Sequence, residues 1–254
     1  MEIGIIGFGR FGRFAAGILK NDFDVFVHDV RPIQPGRGIK AVSLKEIATK
    51  PVLFLCVPIS ELEEICGLLK PLLSPGQLVL DACSVKEKPL QIMLKGLPRF
   101  VEVIGTHPLF GPDSGKAGIR GLTIALCPAR GSRIQKVQKY LKNLGLKVIV
   151  TTARKHDSEM ARTQALFHFL ARGVAGLQIE VGALATPGPA RLFREFQDVQ
   201  NDSQRLFYDL QRLNRFAAPM RRRLLRNLQQ IDRKLTSRTS SRRSGESPVG
   251  WGRR

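Results

Sequence analysis

The chain has 254 residues, 43% of them apolar, which suffices for one large domain or two modest ones with a real core. No run of eighteen uninterrupted apolar residues occurs, which argues against a membrane-spanning helix and against a membrane as partner. The formal charge of +20 admits polyanions as partners, but aromatic residues make up only 7% and are sparse where the basic residues crowd near the C-terminus. A stacking surface for single-stranded nucleic acid is therefore unsupported, and nucleic acid is expected to bind only nonspecifically, through a basic tail.

In chain order, Glu2 to Ile6 is a short apolar strand, so no secretory leader is expected. Arg10 to Lys20 is helical in pattern and Val25 to His28 is a second strand. Pro51 to Val57 is a continuous apolar run, as a parallel strand buried on both faces requires. Glu61 to Leu73 has helical periodicity; Leu78 to Asp81 and Phe100 to Thr106 are strands. Leu122 to Leu126 and Lys147 to Val150 are further strands, with a helix near Ile134 to Leu144 between them. This alternation predicts a doubly wound, mainly parallel α/β sheet. The texture changes near Thr151. From His156 to Leu184 the spacing is helical without prolines, and Arg191 to Leu235 continues as helices, broken by Pro187-Gly188-Pro189 and by Pro219. From Thr236 the sequence is Ser, Arg and Gly, with few apolar residues, and is expected to be disordered. The four cysteines (Cys56, Cys66, Cys83 and Cys127) form no C-x-x-C pair. They read as small buried hydrophobes of a reducing compartment, with no metal site, and the cytoplasm follows as the default location.

Gly7-Phe8-Gly9-Arg10-Phe11-Gly12 is a G-x-G-x-x-G turn that follows an apolar strand and opens a helix. That context marks the dinucleotide-binding turn of a Rossmann domain. Gly7 permits the tight turn, Gly9 lets the backbone approach a pyrophosphate, and Gly12 lets helix and strand pack closely. Asp29 ends the second strand, where a carboxylate hydrogen-bonds the adenosine ribose hydroxyls and repels a 2′-phosphate, favouring NAD. Arg31, two residues on, is a guanidinium suited to a 2′-phosphate, so NADP stays open. Val57-Pro58, at the end of the following strand, either lines the cofactor crevice or is a plain strand terminus.

Two more strand ends carry polar residues: Asp81-Ala82-Cys83-Ser84-Val85-Lys86, and Gly105-Thr106-His107-Pro108-Leu109-Phe110-Gly111-Pro112. Ligands of open α/β sheets bind beyond the carboxyl ends of the strands, which favours an acid/base role for His107. On these stretches, the glycine turn, and His156-Asp157 followed by Gln164-Ala165-Leu166-Phe167-His168-Phe169, the chain resembles the prephenate/arogenate dehydrogenase family over residues 1 to about 235. The resemblance implies an NAD(P)-dependent oxidative decarboxylation of prephenate or arogenate in tyrosine biosynthesis. His107 then takes the substrate hydroxyl proton, and activity is expected to rise through a pKa near ~6.5. Ser84 resembles the family serine that orients this histidine; the alternative is a helix cap ahead of Lys86-Glu87. Lys86 reads better as a solvated first-turn lysine than as a site residue. The resemblance also implies that Gln164 and His168 face the substrate and that an arginine after Pro187 binds its carboxylate; Arg191 is the candidate. The expected division is a Rossmann domain over 1–152, an all-α substrate and dimerisation domain over 153–235 that makes a homodimer, and a basic tail over 236–254. The rivals are another hydroxyacid or imine reductase with a helical dimer domain, and a polyanion-binding protein with a vestigial Rossmann fold.

Overall fold

The computed structural model describes residues 1–240. Eight strands form one sheet: β1 (Glu2–Ile6), β2 (Asp24–His28), β3 (Ile39–Ala41), β4 (Val52–Leu55), β5 (Leu78–Asp81), β6 (Glu102–Pro108), β7 (Thr123–Arg130) and β8 (Lys147–Val150). Their spatial order is β3-β2-β1-β4-β5-β6-β7-β8, parallel throughout except between β6 and β7. The chain runs outward from β1 to β3, then crosses to β4 on the other side of β1. The topological switch point therefore lies between β1 and β4, the crevice where such sheets take ligands.

Helices cover both faces, which is why the central strands read as unbroken apolar runs. On one face Ile6, Leu53, Leu55, Val79 and Val103 pack with residues from α2 (Leu44–Ile47), α3 (Leu62–Leu69) and α4 (Glu87–Gly96). On the other, Ile3, Ile5, Val27 and Phe54 pack under α1 (Arg10–Leu19). The helix α5 (Ile134–Asn143) covers the β7–β8 end, where Ile134 and Val137 meet Leu126 and Leu146. Each such aliphatic side chain, when fully buried, contributes about 1.5–3 kcal/mol. Three elements escape the sequence pattern: β3 and α2 are only three and four residues long, and α4 has Pro89 in its first turn.

Beyond β8 the chain is helical: α6 (Ala153–Arg162), α7 (Gln164–Ala175), α8 (Pro187–Gln200), α9 (Gln204–Arg212) and α10 (Ala217–Ser240). The expected long helix from His156 is divided at Thr163, whose backbone (φ −110°, ψ −91°) leaves the helical region and re-aims α7. The prolines expected to break helices begin them instead. Pro187 is the first residue of α8 and Pro219 lies in the first turn of α10, where a missing N–H costs nothing. The tail expected to start at Thr236 is still helical to Ser240, as the end of α10. The rest of that tail lies outside the described residues. No described helix is long and apolar enough to cross a membrane.

The glycine turn fixes how closely α1 approaches the sheet. A Cβ on Gly12 would stand 2.0 Å from the Gly7 carbonyl oxygen, whereas one on Gly9 meets nothing within 4 Å. Gly12→Ala is expected to destabilise the fold by about 1–3 kcal/mol, an overpacking cost against rigid backbone. Gly9→Ala is expected to stay within about 1 kcal/mol of the parent. Urea unfolding of the two variants checks the contrast; equal midpoints would refute it.

Candidate active site

The glycine turn sits at the β1/β4 switch point. Gly7 adopts φ +95°, and its N–H donates to the His28 carbonyl at 2.8 Å. A Cβ there would collide with the Cys56 carbonyl and approach Val57 to 3.0 Å, so Val57 does line the turn. Pro58 opens the 3₁₀ turn Ile59–Glu61. At the start of α1, Gly9 supplies no side-chain cap and the first turn has no acidic residue, leaving N–H groups and a positive dipole end for an anion. The open space above Gly9 is the close backbone approach that a pyrophosphate needs.

Asp29 closes the far side of this turn. Its carboxylate accepts from the Phe8 N–H at 2.7 Å, the Arg31 N–H at 3.0 Å and Arg31 Nε at 3.2 Å. Burial opposes its ionisation, but these donors outweigh burial and hold the carboxyl below its ordinary range. Phe8 and Phe11 present only backbone to this site. The Phe8 ring is buried beneath Arg13, and Phe11 meets Phe14 and Phe54 on the sheet. Arg10 reaches out of the turn, donating to both oxygens of Asp113 at 2.7 and 2.9 Å and to the Asn201 carbonyl at 3.1 Å. It thus ties the glycine turn to the loop after β6 and to the α8–α9 turn.

At the ends of β5 and β6 a buried polar network replaces the expected solvated residues. Lys86 is fully buried, not solvated: its ammonium pairs with Asp81 and donates to the Thr106 carbonyl at 2.6 Å. The reason is Asp81, a strand-end carboxylate with no exposure that also accepts from the Cys83 N–H at 2.9 Å and the Thr106 N–H at 3.2 Å. A buried carboxylate needs a cation, and Lys86 is the one within reach. Burial pushes the nearby Cys66 and Cys127 thiols up to about 12, so they remain thiols.

His107, 2% exposed, hydrogen-bonds through Nδ1 to Nε2 of His156 at 2.9 Å. His156 Nδ1 meets Asp157 Oδ1 at 2.8 Å. Both Asp157 oxygens also accept backbone N–H groups at the start of α4, from Lys86 at 2.7 Å and Glu87 at 2.9 Å. Asp157 is therefore an acceptor throughout, and His156 Nδ1 must carry a proton. With that single proton on the His156 ring, its Nε2 accepts, His107 Nδ1 donates and His107 Nε2 is free to act as a base. Burial foremost, then His156 and Lys86, hold the His107 pKa well below 6.5, which corrects the unperturbed value expected from sequence. Ser84 is half-buried and precedes α4, but Asp157 from the helical half performs the capping. The pairing of His156 and Asp157 with His107 was missed; the only signal in the sequence was the adjacent His-Asp at the start of the helical region.

On α7, His168 is buried, with Nε2 3.8 Å from an Asp202 oxygen. Its pKa is lowered by burial, with Asp202 opposing and Arg172 adding to the effect. Gln164 Oε1 and His168 Nδ1, one turn apart, are buried without hydrogen-bond partners. Arg191, in contrast, is exposed on α8.

Comparison with known proteins matches residues 35–150 to the prephenate dehydrogenase nucleotide-binding domain and residues 174–247 to the TYRAAT1-like C-terminal domain. Arogenate dehydrogenase 2, chloroplastic, of Arabidopsis thaliana is 27% identical over 253 residues, covering 94% of this chain and 71% of that protein. A probable arogenate/prephenate dehydrogenase of Methanocaldococcus jannaschii is 33% identical over 183 residues, covering 66% of this chain and 40% of that protein. The chain thus spans less than half of some relatives it matches. Among solved structures, prephenate dehydrogenase from A. aeolicus in complex with hydroxyphenyl propionate and NAD+ superposes with a TM-score of 0.74 at 18% identity, covering 94% of this chain and 92% of that one. The glycine turn precedes the matched nucleotide-binding segment, so its assignment rests on the geometry above, and the comparisons support the prephenate/arogenate dehydrogenase family for this chain.

Proposed function

We propose that this chain oxidises and decarboxylates a hydroxylated cyclohexadienyl carboxylate, prephenate or arogenate, with NAD+ as hydride acceptor. The observation that carries the reading is the chain of contacts Asp157–His156–His107, which ends in His107 at the carboxyl end of β6. The names of the relatives support the substrate class.

The residues fit the dinucleotide. The turn at Gly7, Gly9 and Gly12 and the N-terminus of α1 would hold its pyrophosphate, and Asp29 its adenosine ribose. The cofactor supplies a hydride acceptor. Asp29 favours NAD by repelling a 2′-phosphate, while the Arg31 pairing softens that repulsion, so NADP is the weaker second cofactor.

His107 Nε2 accepts the hydrogen bond of the substrate hydroxyl and takes its proton as the carbon–oxygen double bond forms and hydride departs. The resulting imidazolium is stabilised through His156 by the Asp157 carboxylate. Loss of the ring carboxylate as carbon dioxide sends its bonding pair through the ring to the new carbonyl oxygen, which takes the proton back from His107 as the ring becomes aromatic. Burial of His107 excludes water from the proton transfer. Ser84, half-buried on the segment between β5 and α4, is our candidate for the hydroxyl that orients the substrate oxygen, a role supported by the family resemblance.

His107→Asn is expected to lower kcat by about 100- to 10,000-fold, the usual yield of a general base, with NAD+ affinity unchanged. Steady-state turnover of prephenate and arogenate, alongside NADH fluorescence titration, reads both quantities; undiminished turnover would overturn the role. Because the His107 pKa is depressed, the base form persists below neutrality. The acid limb of kcat/KM is therefore expected below pH 6.5, activity falling only as pH drops through that lowered value; a limb at or above 6.5 would contradict the burial argument.

A second copy of the chain is our reading of the row Leu225, Leu228 and Ile231, which stands exposed along one side of α10. Leu228→Glu is expected to shift sedimentation from dimer to monomer; a parent chain that sediments as a monomer refutes it.

A further inference from the structure

The two faces of the sheet are covered unequally. On one, α2, α3 and α4 lie side by side; on the other, α1 packs over β1 and β2, and α5 over β7 and β8. Between α1 and α5, the side chains that β4, β5 and β6 send to this second face form the floor of a cavity of about 330 Å³, among them Val52, Leu78, Thr106 and Pro108. Small-molecule sites occupy about 300–1,000 Å³, so the cavity has the size of one. Two edge-on aromatic pairs span it. Phe14 of α1 meets Phe110 of the loop after β6 with ring centres 6.3 Å apart, and Phe23, ahead of β2, meets Tyr140 of α5 at 5.0 Å.

The shape selects the occupant. In the β5–β6 register Leu78 stands opposite Glu102, six positions before Pro108, so the floor extends about 20 Å along the strands. A volume of 330 Å³ drawn out over that length is much narrower than a helix, which measures about 10–12 Å across with its side chains. An extended peptide fits no better, because its N–H and C=O groups would go unpaired against apolar walls. Thr106, the polar side chain of the floor, already donates its hydroxyl to the Asp81 carbonyl. A slender hydrocarbon chain needs no such partners. The polar groups of the lining stand on one face of α5, Lys136 and Tyr140 one turn apart, with Arg133 just ahead of the helix. Arg133 is spent on the Glu102 carboxylate and the Gly76 carbonyl, and the Tyr140 hydroxyl donates to Asp22 at 3.0 Å. Lys136 is exposed and, among the described residues, makes neither a hydrogen bond nor an ion pair. An uncommitted cation at the edge of an apolar slot complements a ligand with one anionic end and a hydrocarbon body.

We propose that this cavity binds a free medium-chain fatty acid, its acyl chain lying along β4, β5 and β6 and its carboxylate at Lys136. The site is separate from the one around His107. Successive residues of a strand point to opposite faces, so Thr106 and Pro108 line the cavity while His107 turns away toward His156 on α6. Fatty-acid binding is therefore independent of NAD+ and of dehydrogenase activity.

The test is calorimetry on the full chain, with and without saturating NAD+, using hexanoate, octanoate, decanoate and the uncharged decan-1-ol. One molecule is expected to bind per chain, with affinity rising about fourfold for each added methylene and unchanged by NAD+. Lys136→Glu is expected to weaken decanoate by about 3- to 10-fold and to leave decan-1-ol within about twofold. Val137→Trp, which fills the cavity from α5, is expected to abolish binding of both probes, and Leu144→Trp to do the same from the end of that helix. Circular dichroism checks folding, and the exposed Lys136→Glu change keeps the test decisive should a tryptophan variant misfold. Absence of saturable binding, binding that survives both tryptophan variants, equal losses of decanoate and decan-1-ol in Lys136→Glu, or displacement by NAD+ would each overturn the assignment. A parent dimer that becomes a monomer in Val137→Trp would overturn it too, giving the cavity to a second copy of the chain.

Discussion

The Asp157 carboxylate is the joint on which the rest of the site depends. One oxygen holds His156 and the Lys86 N–H, the other the Glu87 N–H, so a single residue of the helical half sets a ring orientation and closes the start of a helix in the nucleotide-binding half. Its own backbone carbonyl accepts from Asn214 Nδ2 at 2.7 Å, which fixes the carboxylate from behind. A carboxylate with no exposure and three donors has no freedom to adopt a second geometry. The orientation of the His107 ring follows from that constraint.

Beside it runs a second buried charge system, Asp81 with Lys86, which fastens the ends of β5 and β6 to one another. The two systems share the backbone of Lys86: its amide serves Asp157 and its ammonium serves Asp81. Buried ion pairs of this kind contribute little net stability against an apolar replacement, and their value lies in the single arrangement they permit. Here that arrangement places two strand ends and two helix starts in fixed register around one imidazole.

The sheet was legible in the sequence because strands buried on both faces read as continuous apolar runs, and the glycine turn because its strand-then-helix context is local. Leu53 to Leu55 and Gly7 to Gly12 are such cases. Short elements were not legible: β3 contains an exposed Lys40 and has no periodicity to detect. Nor were residues whose environment is set by distant chain. Lys86 looks like an ordinary first-turn lysine until Asp81 and Thr106 close around it, and His156 meets His107 across 49 positions. The division at Thr163 was equally hidden, since the residues on both sides of it have good helical spacing.

That a helical-half carboxylate completes a nucleotide-half helix has a consequence for modularity. Severing the chain after β8 would strip α4 of the acceptor for its first two amides and deprive one imidazole of its neighbour. The nucleotide-binding lobe is therefore not a transferable cassette. Grafted onto a different helical partner, it would arrive with its proton acceptor in an undefined tautomer, so the two lobes are constrained to be inherited together.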